Sequence, residues 1–244
     1  MEYQYLFYIL LPIIAFIYAA VGHGGASGYL AMMAIFAFSP EVMKPTGLLL
    51  NLFVAGISFY HYWRNGNFNW KLFLVFALGS IPMAFAGGVL EIETHWYKVI
   101  LGVLLVFAVL KMLNVFGSDS KEIRPIKWGE GTLVGAIIGF FSGLIGIGGG
   151  IILSPVILLM KWGDMKTAAA VSALFIWVNS ASGLIGQMSI GVTFDKDIWI
   201  YVALAVFGGF LGGYVGSKKM ENKGLRYLLA FVLLLASIKL IVLS

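Results

Sequence analysis

The sequence predicts an all-α polytopic membrane protein made of two inverted-topology repeats, each a glycine-turn helical hairpin followed by three transmembrane helices. Three observations predict it. Of 244 residues, 61% are hydrophobic and 11% charged, against about a quarter charged in an average globular protein, so too few polar residues remain to cover a water-facing exterior. The apolar residues gather in long runs separated by short polar stretches, the mark of membrane-spanning helices. Finally, a glycine-rich segment occurs twice, once in each half of the chain, as internal duplication produces.

In chain order the runs are 5–21, 29–38, 46–62, 71–90 and 97–115, then 132–146, 150–160, 166–189, 198–217 and 226–243. The last three of each group of five are long enough, at about 1.5 Å per residue, to cross a hydrocarbon core of about 30 Å. The runs 29–38 and 150–160 cover only about half of it, so each is expected to be the short limb of a hairpin (5–38 and 132–160) that returns to the face it started from. GSDSKEIRPIKWGEG at 117–131 carries Pro125 and both signs of charge. It reads as a cytoplasmic linker between an N-terminal repeat at 1–116 and a C-terminal repeat at 132–244, with no separate water-soluble domain. Glu2 stands where a cleavable signal would carry Lys or Arg, so the first run is expected to remain in the mature protein.

Lys and Arg set the sidedness, because cytoplasmic loops carry an excess of them. Arg64, Lys71, Lys111, Lys121, Arg124, Lys127, Lys161, Lys166, Lys218, Lys219, Lys223 and Arg226 are twelve of the sixteen and go inside. Lys44, Lys98, Lys196 and Lys239 are left for outer loops or ends, and both termini then lie outside. Trp63, Trp70, Trp96, Trp128, Trp162 and Trp199 fall at run ends, where interfacial aromatic belts form. The net charge of +5 is accounted for by these loops, and no nucleic-acid partner is expected. With no cysteine, sulfur-ligated metals and thiolate nucleophiles are excluded; no metal or other cofactor is expected.

The two halves align locally. VGHGGASGYL at 21–30 matches IGIGGGIILS at 145–154, Met43-Lys44 matches Met165-Lys166, and AFAGG at 84–88 matches GFLGG at 209–213. A hairpin plus three spans makes an odd number of crossings, so the second copy must be inserted upside down. Secondary transporters often follow this plan, with the substrate site at the midplane between the halves.

Each short limb starts at a glycine cluster near the middle of the bilayer. A helix start leaves backbone N–H groups unpaired and carries about half a positive charge, and glycine lets a ligand approach the backbone. The favoured occupant is an anion. The candidate substrate-binding residues are therefore Gly22, Gly24 and Gly25 in the first loop and Gly146, Gly148, Gly149 and Gly150 in the second. The polar neighbours His23, Ser27, Thr46, Asn51, Ser172, Asn179, Ser180 and Ser182 join them, since hydroxyls and amides hydrogen-bond anionic oxygens. The structural alternative is that such hydroxyls only tie helices together and that glycines only permit close packing, which is the expectation for GFFSG at 139–143 and GGFLGG at 208–213. His23 can titrate near neutral pH. No Asp, Glu, Lys or Arg is central to any run, so coupling to protons or sodium would use His23, backbone carbonyls or a proton on the substrate itself.

AVGHGGASGYL at 20–30 and GLIGIGGGIILSP at 143–155, each followed by the Met-Lys start of the next helix, resemble the sulfite exporter TauE/SafE family of membrane proteins. The resemblance covers nearly the whole chain; the first copy departs from the pattern at His23 and at Ala26-Ser27. It implies a carrier in the bacterial inner membrane for sulfur-containing anions such as sulfite, sulfonates or sulfoacetate-like acids, working by alternating access, with the lipid bilayer and a small anionic substrate as partners. Nothing in the sequence sets an oligomeric state. A passive anion channel or uniporter is the alternative within transport. An alternative of another class is an intramembrane serine protease, since Gly25-Ala26-Ser27-Gly28 spells G-x-S-G, with Ser27 as nucleophile and His61 as base; against it, Ser27 corresponds to Ile151 in the second copy.

Overall fold

The computed structural model describes residues 2–20, 22–64, 66, 68–113, 123–192, 194–218 and 223–242. Among them are ten helices and no strand: α1 Glu2–Ala20, α2 Ala26–Ile35, α3 Pro40–Arg64, α4 Trp70–Val89, α5 Thr94–Met112, α6 Trp128–Ile145, α7 Gly150–Leu159, α8 Met165–Ser189, α9 Ile198–Lys218 and α10 Lys223–Val242. Within the described residues each apolar run forms a helix, with its ends moved by local chemistry. The short limb α2 starts at Ala26 rather than 29, because the left-handed Gly25 serves as its N-cap and Ala26, Ser27 and Gly28 enter the first turn. α3 opens on Pro40, a first-turn position where the missing N–H costs nothing. Trp128 to Gly131, expected in the linker, belong to α6; 123–127 are non-helical, and 117–122 lie outside the described residues.

Five of these helices are long and apolar enough to cross a membrane: Pro40–Arg64, Trp70–Val89, Trp128–Ile145, Lys166–Ser189 and Ile198–Val215. The set differs from the six spans expected. α6 joins it by virtue of its earlier start, whereas the apolar stretches of α5 and α10 within the described residues are the shorter Thr94–Leu110 and Leu233–Val242.

Bundle packing runs through glycine. α4 lies along α6 and α1 along α9, while α8 packs on α3 and α4, α9 also on α3, and α5 on α10. Gly135, Gly139 and Gly143 of α6 press on the backbone of Phe76, Ser80 and Ala84 of α4, so the two helices run parallel in backbone contact. Gly208 and Gly212 of α9 press likewise on Pro12 and Phe16 of α1. Lipid offers no hydrophobic drive for helix association, and small residues instead maximise close contact. The packing expectation for 139–143 and 208–213 therefore holds. α3 and α8 cross antiparallel, with Leu48 beside Gly183, Asn51 beside Ser180 and Gly56 beside Trp177.

Large apolar side chains cover the outside as well as the core. Leu74, Leu78, Ile81 and Phe85 on α4 and Phe207, Phe210 and Leu211 on α9 are all exposed, the pattern of a protein surrounded by lipid. Trp63, Trp70, Trp96, Trp128 and Trp199 are exposed at helix ends as expected. Trp162 is not: it is buried, with its ring 5.8 Å from Phe76, because the chain after α7 turns inward against α4. Lys44, expected in an outer loop, is also buried. It lies inside α3, where its ammonium donates to Gly88 O (3.2 Å) and Leu90 O (2.9 Å) and so satisfies carbonyls at the end of α4.

Candidate anion site

Both glycine loops are built the same way. His23 N–H donates to Tyr18 O (2.9 Å) and Ile147 N–H to Ser142 O (3.2 Å), five residues back in each case. This closure satisfies the last carbonyls of α1 and α6 and requires a left-handed residue just after the helix; Gly146 supplies it at φ 87°. The loops then start α2 and α7 from Gly25 and Gly149, again left-handed and without a side-chain cap. A residue with a β-carbon would lose about 1–2 kcal/mol in that conformation.

The two loops, far apart in sequence, meet at one side chain. Asn51 lies near the middle of the 25-residue α3 and is completely buried. Its Oδ1 accepts from Ala26 N–H at the start of α2 (3.0 Å), and its Nδ2 donates to Ile147 O of the second loop (3.3 Å) and to Ser180 Oγ of α8 (3.3 Å). Gly24 and Gly148 press on this amide from both sides and both touch Ile176. Of the free amides expected at the start of α2, one is thus already occupied by a carboxamide oxygen. Among the described residues the first backbone bonds back to the caps come from Tyr29 in α2 and from Ile152 and Leu153 in α7, which leaves the amides of Ser27, Gly28, Gly150 and Ile151 without an acceptor.

A second polar chain links the halves. His23 Nε2 is 3.2 Å from Ser154 Oγ of α7, which is 2.7 Å from Ser172 Oγ of α8 and also bonds Gly150 O (3.1 Å). Ser58 Oγ donates to His23 O (3.4 Å). Ser154 and Ser58 escaped sequence reasoning, although Ser154 stands within the aligned IGIGGGIILS segment, one turn after Gly150.

The expected residues divide accordingly. Asn51, Ser180, Gly24 and Gly148 converge on one point, and His23 and Ser172 join through Ser154. Gly150 packs on Ile176 and Ser172 O; Gly22 packs on Tyr62 and Ala169; Gly146 packs on the backbone of Lys44. Thr46 is buried on α3 with an unpartnered hydroxyl. Asn179 bonds the carbonyl one turn back in its own helix, Phe175 O (2.7 Å), and its Oδ1 is unpartnered. Ser182 ties α8 to α4 through Ile81 O (2.6 Å), the structural alternative. Ser27 Oγ is bonded to Tyr18 Oη (2.6 Å), while His61 packs beside Phe210 and Gly213 of α9. The nucleophile and base of the protease alternative are not brought together.

The site therefore offers backbone N–H groups, hydroxyls, a carboxamide and one imidazole, with no fixed charge. Its positive potential comes from two helix starts, which suits a small anion.

Comparison with known proteins decides the family. The family model for the sulfite exporter TauE/SafE matches residues 7–240. The chain belongs to the TauE/SafE family. It is 35% identical over 234 residues to the probable membrane transporter protein y4hK of Sinorhizobium fredii, covering 94% of each chain. It is 28% identical to the probable membrane transporter protein MJ0441 of Methanocaldococcus jannaschii, covering 96% of this chain and 95% of the relative. With the probable membrane transporter protein YunE of Bacillus subtilis it shares 25% identity over 83% of this chain and 81% of the relative. No solved structure matches. This TauE/SafE protein is accordingly a multi-pass membrane transporter.

Proposed function

We propose that this TauE/SafE protein is a secondary transporter for sulfur-containing or related small organic anions, such as sulfite, sulfonates or sulfoacetate-like acids. It works by alternating access in the inner membrane, with the anion held at the midplane by the starts of α2 and α7. The observation that carries this reading is the convergence of both glycine loops on the buried amide of Asn51, near the middle of α3 and α8.

An inverted repeat with halves 1–116 and 132–244 is supported by the packing. Exchanging the halves turns the α4/α6 contact into α9/α1 and the α4/α8 contact into α9/α3, both of which occur, while the counterparts α3 and α8 lie antiparallel against each other. The bonds from Asn51 to Ile147 and Ser180 and from His23 to Ser154 cross between the halves. They are the contacts a rocking motion would exchange for contacts to substrate.

Sidedness has support too. Lys98 and Lys239 line one cavity of about 320 Å³, Lys196 lines another of about 250 Å³, and Phe38 lines both. Three of the four basic residues assigned to the outer face thus gather at one end of the bundle, where α2 finishes, in line with extracytoplasmic termini.

The test is flux in proteoliposomes against sulfite, methanesulfonate, sulfoacetate, sulfate and acetate, with pH and sodium gradients varied separately. Transport of a sulfur oxyanion, accelerated by unlabelled substrate on the opposite side, is expected. Flux without that acceleration would favour a channel, and no flux of any anion would overturn the reading.

A further inference from the structure

Tyr29, which lies one turn into α2, is fully buried, yet its hydroxyl has no hydrogen-bond partner. Helical side chains lean toward the N-terminus of their helix, and this ring does so: a β-carbon on Gly25, the N-cap of α2, would stand 2.6 Å from Tyr29 Oη. The hydroxyl is therefore at the helix start where Ala26 N–H meets Asn51 and where the amides of Ser27 and Gly28 have no acceptor. Buried hydroxyls are nearly always paired. Neighbouring Tyr18 follows that rule through Ser27.

The other unpartnered groups fit a ligand less well. Asn179 Oδ1 is an acceptor and would repel an anion. Ser80, Thr46 and Ser142 are short enough to turn toward carbonyls of their own helices, which a tyrosine ring cannot do.

Building on the proposed transport of an oxyanion, we propose that Tyr29 is a substrate-binding residue that donates its hydroxyl to an oxygen of the anion at the start of α2. The ring closes one side of the loop and the O–H adds a directional donor to the backbone amides. A sulfur oxyanion, with three oxygens pointing in different directions, can accept from both.

Tyr29→Phe removes this one atom and, in the anion-free protein, no hydrogen bond. The full-length variant and the native protein are compared by the concentration dependence of sulfite and methanesulfonate uptake in proteoliposomes and by thermal melting without anion. A half-saturating concentration raised about ten- to a hundredfold, as for loss of a bond to a charged group, with melting unchanged or higher, is expected. An unchanged concentration dependence overturns the assignment alone. A lower melting temperature, or failure to fold, gives the hydroxyl a structural partner and also overturns it. If the native protein carries neither anion but does carry sulfoacetate, sulfate or acetate, the same comparison is made with that anion; flux of none of the five overturns the transport reading and takes this assignment with it.

Discussion

Asn51→Ala deletes three hydrogen bonds at once and separates the two glycine loops from their common anchor. Polar contacts between helices in membrane bundles average about 0.6 kcal/mol and reach about 1.7. The 3.0 Å bond to Ala26 N–H is weighed at about 1 kcal/mol, and the two at 3.3 Å, at the long end for N–H···O, at about 0.5 each. Removing the fully buried carboxamide also leaves a small cavity worth about 1 kcal/mol. The sum, about 3 kcal/mol, corresponds to melting about 6–12 °C lower for a chain of this size. Melting is read in detergent from the intrinsic fluorescence of seven tryptophans. The companion Asn51→Asp keeps the shape but fixes an anionic oxygen at Ala26 N–H and turns a donor toward Ile147 O into an acceptor. It is expected to abolish flux in a protein that still folds. Melting of Asn51→Ala within a degree of native would show that this side chain does not hold the loops together. Normal transport by Asn51→Asp would show that the anion does not bind at the start of α2.

Other substitutions separate the site from its scaffold. Gly148→Ala places a methyl in a left-handed residue (φ 78°), against the Asn51 amide and 2.8 Å from Ile176; a penalty of about 1–2 kcal/mol from the backbone alone and flux reduced more than tenfold are expected, and native flux would contradict the close approach. Ser182→Ala loses the bond to Ile81 O and is expected to lower stability by about 1 kcal/mol while leaving flux within about twofold of native, since the residue is placed as a helix tie. Gly87→Ala drives a methyl into the Phe140 backbone between α4 and α6 and is expected to cost about 1–3 kcal/mol in melting; an unchanged melting temperature would mean that the two helices slide apart freely.

The legible part of this protein is its helical plan. Low charge and long apolar runs leave lipid as the only solvent for such a surface, so helices that satisfy their own backbone are the one economical solution. Helix ends were less legible, because Gly25 as a left-handed N-cap and Trp128 as a helix opener depend on local hydrogen bonding rather than on hydropathy. Lys44 and Trp162 illustrate a second limit. A charge and an indole at run ends point to water or headgroups by type, yet one found carbonyls at the end of α4 and the other found Phe76.

At the site, residue types and spacing fixed in advance that two glycine turns would start two short helices, since left-handed geometry and unpaired amides are properties of the local chain. Which side chain would join those turns was not written in either motif. Asn51 reaches Ser180 because α3 and α8 cross antiparallel, and its bonds to Ala26 and Ile147, like that of His23 to Ser154, join segments that only the packed bundle brings together. The unpaired hydroxyl of Tyr29 is equally a property of the packed bundle, because whether a buried polar atom has a partner depends on what the remaining helices bring to it.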